Sequence, residues 1–203
     1  TSYAGSEATA VVGQTENGRK TTLRNPRILA RTIVYDVELT LSLPARTSVV
    51  SGLNAIAHGA EALYAPDANP VTSALALQGM GALIGALPAV RNDAADRAAR
   101  SDALFGAWAC GTALGTVAMG LHHKAAHVLG GRFNLPHAET HAALLPHTIG
   151  FNEGAAAPAL APLVALLGAP SAGQGLARLL VRLGAPTRLR DLGDYEAALL
   201  MKA

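Results

Sequence analysis

The alternation of apolar and polar positions takes on a helical period shortly before residue 50. Ile56, Ala60 and Leu63 recur at intervals of three to four residues, which places them on one face of a helix. Thr47 or Ser48 is a suitable N-cap for this helix. Because the same kind of spacing continues to the end of the chain, the pattern predicts a mainly α-helical protein.

Prolines, glycines and polar caps predict where the later helices begin and end. The predicted helices are 70–88, 93–130, 137–145, 157–167, 174–183 and, more weakly, 195–203. The helix 93–130 is the longest, and we expect it to run from its cap at Asn92-Asp93 to Gly130-Gly131. Pro146 is expected to end or kink the helix that Pro136 begins.

Residues 1–48 differ from the rest of the chain because they are richer in Thr, Arg and β-branched residues. Residues 31–36 have the composition of a strand, and Asn17-Gly18 is a strong turn signal. We therefore expect irregular structure and short strands at one edge of the protein. The sequence divides into an N-terminal part, 1–48, and a helical domain, 49–203.

Composition excludes several classes of function. Half of the 203 residues are apolar, 15% are charged and the net charge is +2 without a basic block, so we expect no nucleic-acid or membrane partner. The uncharged run 103–121 approaches the length of a bilayer span, but its Ala, Gly and Thr content favours a buried helix. With Cys110 alone, no intrachain disulfide can form, and together with the lack of a leader-like segment this favours an intracellular protein.

Histidine is concentrated where helices are predicted to meet. Six of the seven histidines lie between positions 122 and 147, and the seventh, His58, is on the first helix. His123 and His127 are four residues apart, so their imidazoles share one helix face. Asn54 and His58 have the same spacing. The two pairs are suited to form two walls of one pocket.

His137 approaches this pocket from a third direction, in the first turn of the helix that follows Pro136. The helix dipole disfavours a charged imidazolium there, and a neutral imidazole can bind a metal or a substrate oxygen. His122 is expected to point about 100 degrees away from His123. His141 and His147 are interpreted as ordinary core or surface residues, with His141 at most a supporting partner of His137.

Four segments carry a resemblance to one enzyme family. They are 1–7 (TSYAGSE), 18–20 (GRK), 51–58 (SGLNAIAH) with 61–64 (EALY), and 123–131 (HKAAHVLGG) with 136–137 (PH), the last followed by 144–147 (LLPH). Together they resemble the iron-containing alcohol dehydrogenases, and within that superfamily the maleylacetate reductase branch. The resemblance implies the dehydroquinate synthase-like C-terminal helical domain, with a short N-terminal remnant of the α/β nucleotide-binding domain.

The resemblance also defines a candidate metal site, from which this sequence departs. Metal-dependent members use one Asp and three His; His58, His123 and His137 match the histidines, and Asn54 occupies the Asp position. A neutral amide is a poorer ligand for a divalent cation than a carboxylate. The maleylacetate reductases are similar in having Asn there and in working without a metal, so we expect no required metal.

The activity that the resemblance implies is reduction of maleylacetate, a dicarboxylate, to 3-oxoadipate by NADH or NADPH in aromatic-compound degradation. His58, His123 and His137, beside Asn54, would stabilise the developing enolate oxygen, and His127 would supply a proton. Lys124 or Arg132 would bind the carboxylates of the substrate. Thr1, Ser2 and Lys20 would bind the cofactor. The family also suggests a cytoplasmic homodimer.

Family members carry an N-terminal nucleotide-binding domain with a Gly-rich phosphate loop, for which Gly130-Gly131 is no substitute, because that pair follows a helix instead of opening one. We therefore expect this chain to be part of a longer polypeptide. Two alternatives remain open at the level of sequence. One is an iron- or zinc-dependent alcohol dehydrogenase of the same superfamily, and the other is a non-catalytic helical module that binds a metal or a partner.

Overall fold

The computed structural model of the chain describes residues 2–16 and 19–193, with the backbone alone for 15, 16 and 19–21. Its α-helices within these ranges are α1 Ala45–Tyr64, α2 Pro70–Asn92, α3 Arg97–Gly115, α4 Leu121–Phe133, α5 His137–Leu167 and α6 Ala172–Leu183. An antiparallel hairpin of β1 Val11–Glu16 and β2 Arg19–Arg24 precedes them. The mainly α-helical fold predicted from the sequence is confirmed.

Helix α1 is the centre of the domain. It is buried continuously from Ser48 to Leu63 and packs against α2, α3 and α5. Small residues let these helices approach closely: a Cβ on Gly59 would lie 2.7 Å from Cγ of Met80 and 3.0 Å from Sγ of Cys110. Polar side chains on α1 are therefore held rigidly inside the protein.

Helix α1 begins earlier than the sequence suggests. Its first residue is Ala45, behind Pro44, so the prediction of Thr47 or Ser48 as the N-cap was wrong. Ser48 instead lies inside the helix and donates a hydrogen bond to the carbonyl of Pro44, at 3.1 Å. Proline fixes its own φ and is therefore sufficient to start the helix without a side-chain cap.

The predicted helix 93–130 is two helices, α3 and α4, because acidic side chains take the backbone N–H groups that a continuous helix would use. The Asp67 carboxylate accepts from the N–H of Ala118 at 2.9 Å. Glu61 accepts from the N–H groups of Gly120 and His122, at 3.2 and 2.7 Å. The Gly130-Gly131 pair lies within α4, which instead ends at Phe133, with Asn134 as its C-cap in the left-handed conformation, φ 51°.

Pro146 neither ends nor kinks its helix. Helix α5 continues past it to Leu167, and its one non-helical residue is Ala156, with φ −109° and ψ 17°. This bend comes just before Pro158, whose ring crowds the preceding turn. The predicted helices 157–167 and 174–183 correspond to the second half of α5 and to α6.

The N-terminal part forms an edge, but not where its composition suggested. Residues 31–36 are irregular instead of forming a strand, and the hairpin β1–β2 is the edge element, with Val11 opposite Arg24 and Glu16 opposite Arg19. The Asn17-Gly18 turn and the weak helix expected over 195–203 lie outside the described residues. The division at residue 48 stays a prediction.

A short segment at the start of the chain is anchored to the helices. Tyr3 is fully buried, and its N–H donates to Oγ of Ser51 at 3.0 Å. The guanidinium of Arg100, which is also fully buried, donates to the Tyr3 hydroxyl at 3.0 Å and to the carbonyl of Leu43 at 2.7 Å. The segment therefore has a fixed position against α1 and α3.

Two stretches, Pro70–Asn92 and His137–Leu183, are long and apolar enough to cross a membrane by length and composition alone. This is weak evidence, because core helices of globular proteins have the same properties. Both stretches pack against other helices here. The uncharged run 103–121 is interrupted between α3 and α4, at residues 116–120.

Candidate active site

A cavity of about 630 Å³ lies between the N-terminal segment, the hairpin and the helices that carry the histidines. All five predicted catalytic side chains line it: Asn54, His58, His123, His127 and His137. Small and polar residues between positions 2 and 24 form much of the facing wall. The structure therefore brings the predicted constellation together in one place.

Asn54 and His58 lie on the face of α1 that borders the cavity. Both are buried, and Oδ1 of Asn54 and Nδ1 of His58 have no hydrogen-bond partner among the described residues. Burial, followed by the charges of neighbouring imidazoles such as His123, holds the pKa of His58 well below its ordinary value. His58 is therefore a neutral imidazole, beside a neutral amide.

His123 is fixed by Glu61, a residue to which the sequence analysis gave no role. Its Nδ1 donates a hydrogen bond to the Glu61 carboxylate, and both side chains are buried. Burial alone would raise the pKa of Glu61, but the hydrogen bond and charge of His123 hold it below its ordinary value. Glu61 is therefore anionic, and His123 directs its other nitrogen, Nε2, away from it. That atom is buried and has no hydrogen-bond partner in the described part of the chain.

His122 points into α5 and takes part in a buried hydrogen-bond chain. Its Nδ1 is 2.8 Å from Oγ1 of Thr148, and its Nε2 is 3.0 Å from Nδ1 of His141. Burial, followed by the charge of His123, lowers the pKa of His122 to about 3. No local pattern in the sequence indicates this hydrogen-bond chain, because both partners of His122 lie on another helix.

His127, His137 and His141 converge between α4 and α5. One ligand atom from each lies within 4.8 Å of the other two. The ring centroids of His137 and His141 are 4.5 Å apart, which agrees with the expected pairing of these two residues. His141 is fully buried, and burial lowers its pKa far below the ordinary value. His147, by contrast, is exposed.

The residues predicted to bind charged ligands are less well placed. Lys124 and Arg132 are exposed on α4 and do not line the cavity. Arg24, at the end of β2, does line it and is the cation among its described lining residues. Ser2 also lines the cavity, whereas Thr1 and the side chain of Lys20 lie outside the described part of the chain.

The ligand positions of the metal-dependent relatives do not fit a divalent cation in this chain. Asn54 supplies no charge, and its buried Oδ1 is an amide oxygen. Among the described residues, the group of ligand atoms close enough to hold a cation is His127, His137 and His141, which shares only His137 with the predicted set. The predicted alternative ligands His58 and His123 are not members of this group.

Comparison with known proteins identifies the family. The sequence model of the Fe-containing alcohol dehydrogenase family, C-terminal domain, matches residues 48–199. The chain belongs to this family. The expected dehydroquinate synthase-like helical domain is thereby confirmed.

Within this family, the chain is similar to maleylacetate reductases and to an iron-containing alcohol dehydrogenase of known structure. The chain is 58% identical to maleylacetate reductase of Rhizobium sp. strain MTP-10005 and 53% identical to that of Burkholderia cepacia, over 95% of this chain and 55% of each relative. The crystal structure of the Rhizobium enzyme aligns with a TM-score of 0.91, over 95% of this chain and 55% of that one. An iron-containing alcohol dehydrogenase from Corynebacterium glutamicum, 45% identical, aligns with a TM-score of 0.89 over 96% and 55% of the two chains. The chain thus spans about half the length of the proteins it matches.

Proposed function

We propose that the protein containing this chain reduces maleylacetate to 3-oxoadipate with NADH or NADPH, and that it does so without a metal. The observation that carries this proposal is Asn54 in a cavity with His58 and His123, where metal-dependent relatives have a carboxylate. The 58% identity to a maleylacetate reductase over 95% of the chain supports the same substrate.

A reduced nicotinamide, for which Ser2 is a candidate binding residue in the cavity wall, would supply the hydride that adds to the carbon–carbon double bond of maleylacetate, which is conjugated with a ketone. The electron pair of that bond moves onto the ketone oxygen as an enolate, and a proton taken up at carbon completes the reduction. The residues of this chain have two tasks in that reaction, to stabilise the enolate oxygen and to deliver the proton.

Hydrogen bonds replace the metal at the enolate oxygen. Once protonated, His123 donates from Nε2, and the buried Glu61 carboxylate beside Nδ1 balances the resulting charge. Asn54 offers amide N–H donors next to it, and His58 stacks on His123 with ring centroids 4.9 Å apart. Donors fixed inside a buried site need little reorganisation when negative charge develops.

His127 is our candidate for the proton donor. It is half-buried, lines the cavity and lies next to His123, at 6.2 Å between ring centroids. His137 stacks near it at 5.9 Å and is exposed, so it can exchange protons with water. An imidazole titrates near neutral pH and is suited to this transfer.

Arg24 is our candidate for binding a substrate carboxylate, because it is the cation among the described residues of the cavity wall. Lys124 and Arg132, which the sequence analysis favoured, are exposed elsewhere on α4. Three further predictions follow from the proposed function: a homodimer, a cytoplasmic location and a role in aromatic-compound degradation. Either NADH or NADPH is compatible with it.

The test is an assay of the full-length protein for oxidation of NADH and NADPH, with maleylacetate and with simple aldehydes, each with and without a chelator. We expect turnover of maleylacetate that the chelator does not change. Turnover of aldehydes that is lost on chelation, together with stoichiometric iron or zinc, would instead identify a metal-dependent alcohol dehydrogenase. If neither substrate is reduced and no Gly-rich strand-turn-helix is encoded upstream, the non-catalytic module is favoured.

A further inference from the structure

The hydrogen-bond chain behind the cavity determines which nitrogen of His141 carries a proton. The Thr148 hydroxyl donates to the carbonyl of Leu144 at 3.1 Å, so it accepts from Nδ1–H of His122. Nε2 of His122 is then an acceptor, and Nδ1–H of His141 donates to it at 3.0 Å. In a neutral His141, the lone pair must therefore lie on Nε2.

That lone pair belongs to a buried atom. Nε2 of His141 accepts no hydrogen bond from any residue that the structure describes, although the residue is only 1% exposed. Its Nδ1 is already occupied by His122, so Nε2 is the atom available to the group formed with His127 and His137. A histidine held by a hydrogen bond at one nitrogen, with the other left open, has the arrangement of a metal ligand.

The three imidazoles are close enough to share one ion. Their ligand atoms lie within 4.8 Å of one another, and they come from two packed helices, α4 and α5. Zinc–nitrogen bonds of about 2.0–2.1 Å place tetrahedral ligands roughly 3.4 Å apart. His137 is exposed and His127 half-buried, so small side-chain rotations can close the remaining difference.

We propose that His127, His137 and His141 form a binding site for a divalent transition-metal ion of the zinc class, with one coordination position open toward the cavity. The site shares His137 with the ligand positions of the metal-dependent relatives, and uses neither Asn54, His58 nor His123. Three imidazoles favour Zn²⁺, Co²⁺, Ni²⁺ or Cu²⁺ over Mg²⁺ and Ca²⁺, which prefer oxygen ligands.

Occupation of this site inhibits the reductase, because the ion takes the lone pairs of His127 and His137, the residues proposed to deliver the proton. This consequence rests on the proposed function, whereas the binding itself does not. The ion is therefore an inhibitor and not a cofactor of this chain.

The test is a titration of the metal-free full-length protein with Co²⁺, followed by its visible absorption, and with Zn²⁺, followed by calorimetry. We expect one equivalent of either ion and the absorption of a four-coordinate Co²⁺ site. His141→Asn and His127→Gln should weaken binding by at least about a hundredfold, since each removes one of three protein ligands. Thr148→Val, which removes the end of the chain that orients His141, should weaken it by about tenfold.

Two matched controls distinguish the proposed metal site from the ligand positions of the metal-dependent relatives. His147→Asn changes an exposed histidine of the same helix, and His58→Asn changes a ligand position of the metal-dependent relatives; both should leave binding unchanged. Circular dichroism and thermal unfolding establish that each variant is folded, and Thr148→Val keeps the test decisive if loss of a buried imidazole unfolds the protein. No bound equivalent in the wild type, or binding lost in His58→Asn and retained in His141→Asn, would overturn the proposal. If the protein binds Zn²⁺ but does not reduce maleylacetate, the proposed function fails and the metal site stands.

Discussion

Glu61 on α1 accepts a hydrogen bond from Nδ1 of His123 on α4, across 62 residues of sequence. The same carboxylate accepts hydrogen bonds from the N–H groups of Gly120 and His122. One buried anion therefore holds the segment that separates α3 from α4 and also orients an imidazole of the cavity. This contact joins the two predicted walls of the site. Their relative position depends on it.

Glu61→Gln should lower the turnover of maleylacetate by more than about tenfold, since the amide keeps the shape of the side chain but no longer balances a charged His123. The effect should fall mainly on kcat, with a smaller change in KM. Asp67→Asn is the matched control, because Asp67 also accepts an N–H of the α3–α4 connection, from Ala118, but is exposed. An equal loss of kcat in both variants would show that Glu61 acts only through the connection.

His127→Ala and His137→Ala should each lower turnover by more than about tenfold with the fold retained, a typical loss for a positioned acid or hydrogen-bond donor. His147→Ala, an exposed histidine of α5, should have no effect. Steady-state kinetics and circular dichroism of the three variants measure this. Unchanged turnover in both cavity variants would contradict the proposed site.

Arg24→Gln should raise the KM for maleylacetate by about tenfold, because a charged hydrogen bond to a carboxylate is lost. Lys124→Gln and Arg132→Gln serve as controls, since both residues are exposed outside the cavity. Measuring the KM for NADH in the same variants shows whether Arg24 binds the substrate or the cofactor. A rise for NADH alone would mean that Arg24 binds the cofactor.

Gly111→Ala should destabilise the protein by about 1–3 kcal/mol, because overpacking at a close contact forces the backbone to shift. A Cβ on Gly111 would lie 2.0 Å from the carbonyl oxygen of Gly5, which itself has φ +73°. Gly85→Ala is the matched control: it lies in α2 with open space around a Cβ and should stabilise by about 0.5–1 kcal/mol. Denaturant unfolding measures both, and equal effects would contradict the close approach.

The thiol of Cys110 should not react with alkylating or disulfide reagents in the folded protein. The residue is fully buried between helices, and burial raises the pKa of the thiol far above its ordinary value, so almost no thiolate is present at neutral pH. Mass spectrometry of the peptide that contains Cys110 should find it unlabelled after treatment in native buffer and labelled after treatment in denaturing buffer. Rapid labelling of the native protein would mean that α3 opens readily.

Local patterns determined much of this protein. The period of apolar residues predicted α1, and Pro70 marked the first residue of α2. The four-residue spacings of Asn54 with His58 and of His123 with His127 placed each pair toward the cavity. These features depend on neighbours within one or two helical turns. Sequence alone is therefore sufficient for them.

The tertiary structure decided what depends on contacts between distant residues. No local signal shows that Glu61 and Asp67 divide the predicted helix 93–130, that His122 and His141 meet, or that Arg24 lines the cavity. Each of these results from packing of separate elements, which fixes where a side chain points after its helix or strand has formed. The histidines were predictable from the sequence because they share helix faces, whereas the groups that orient them come from other elements and were not.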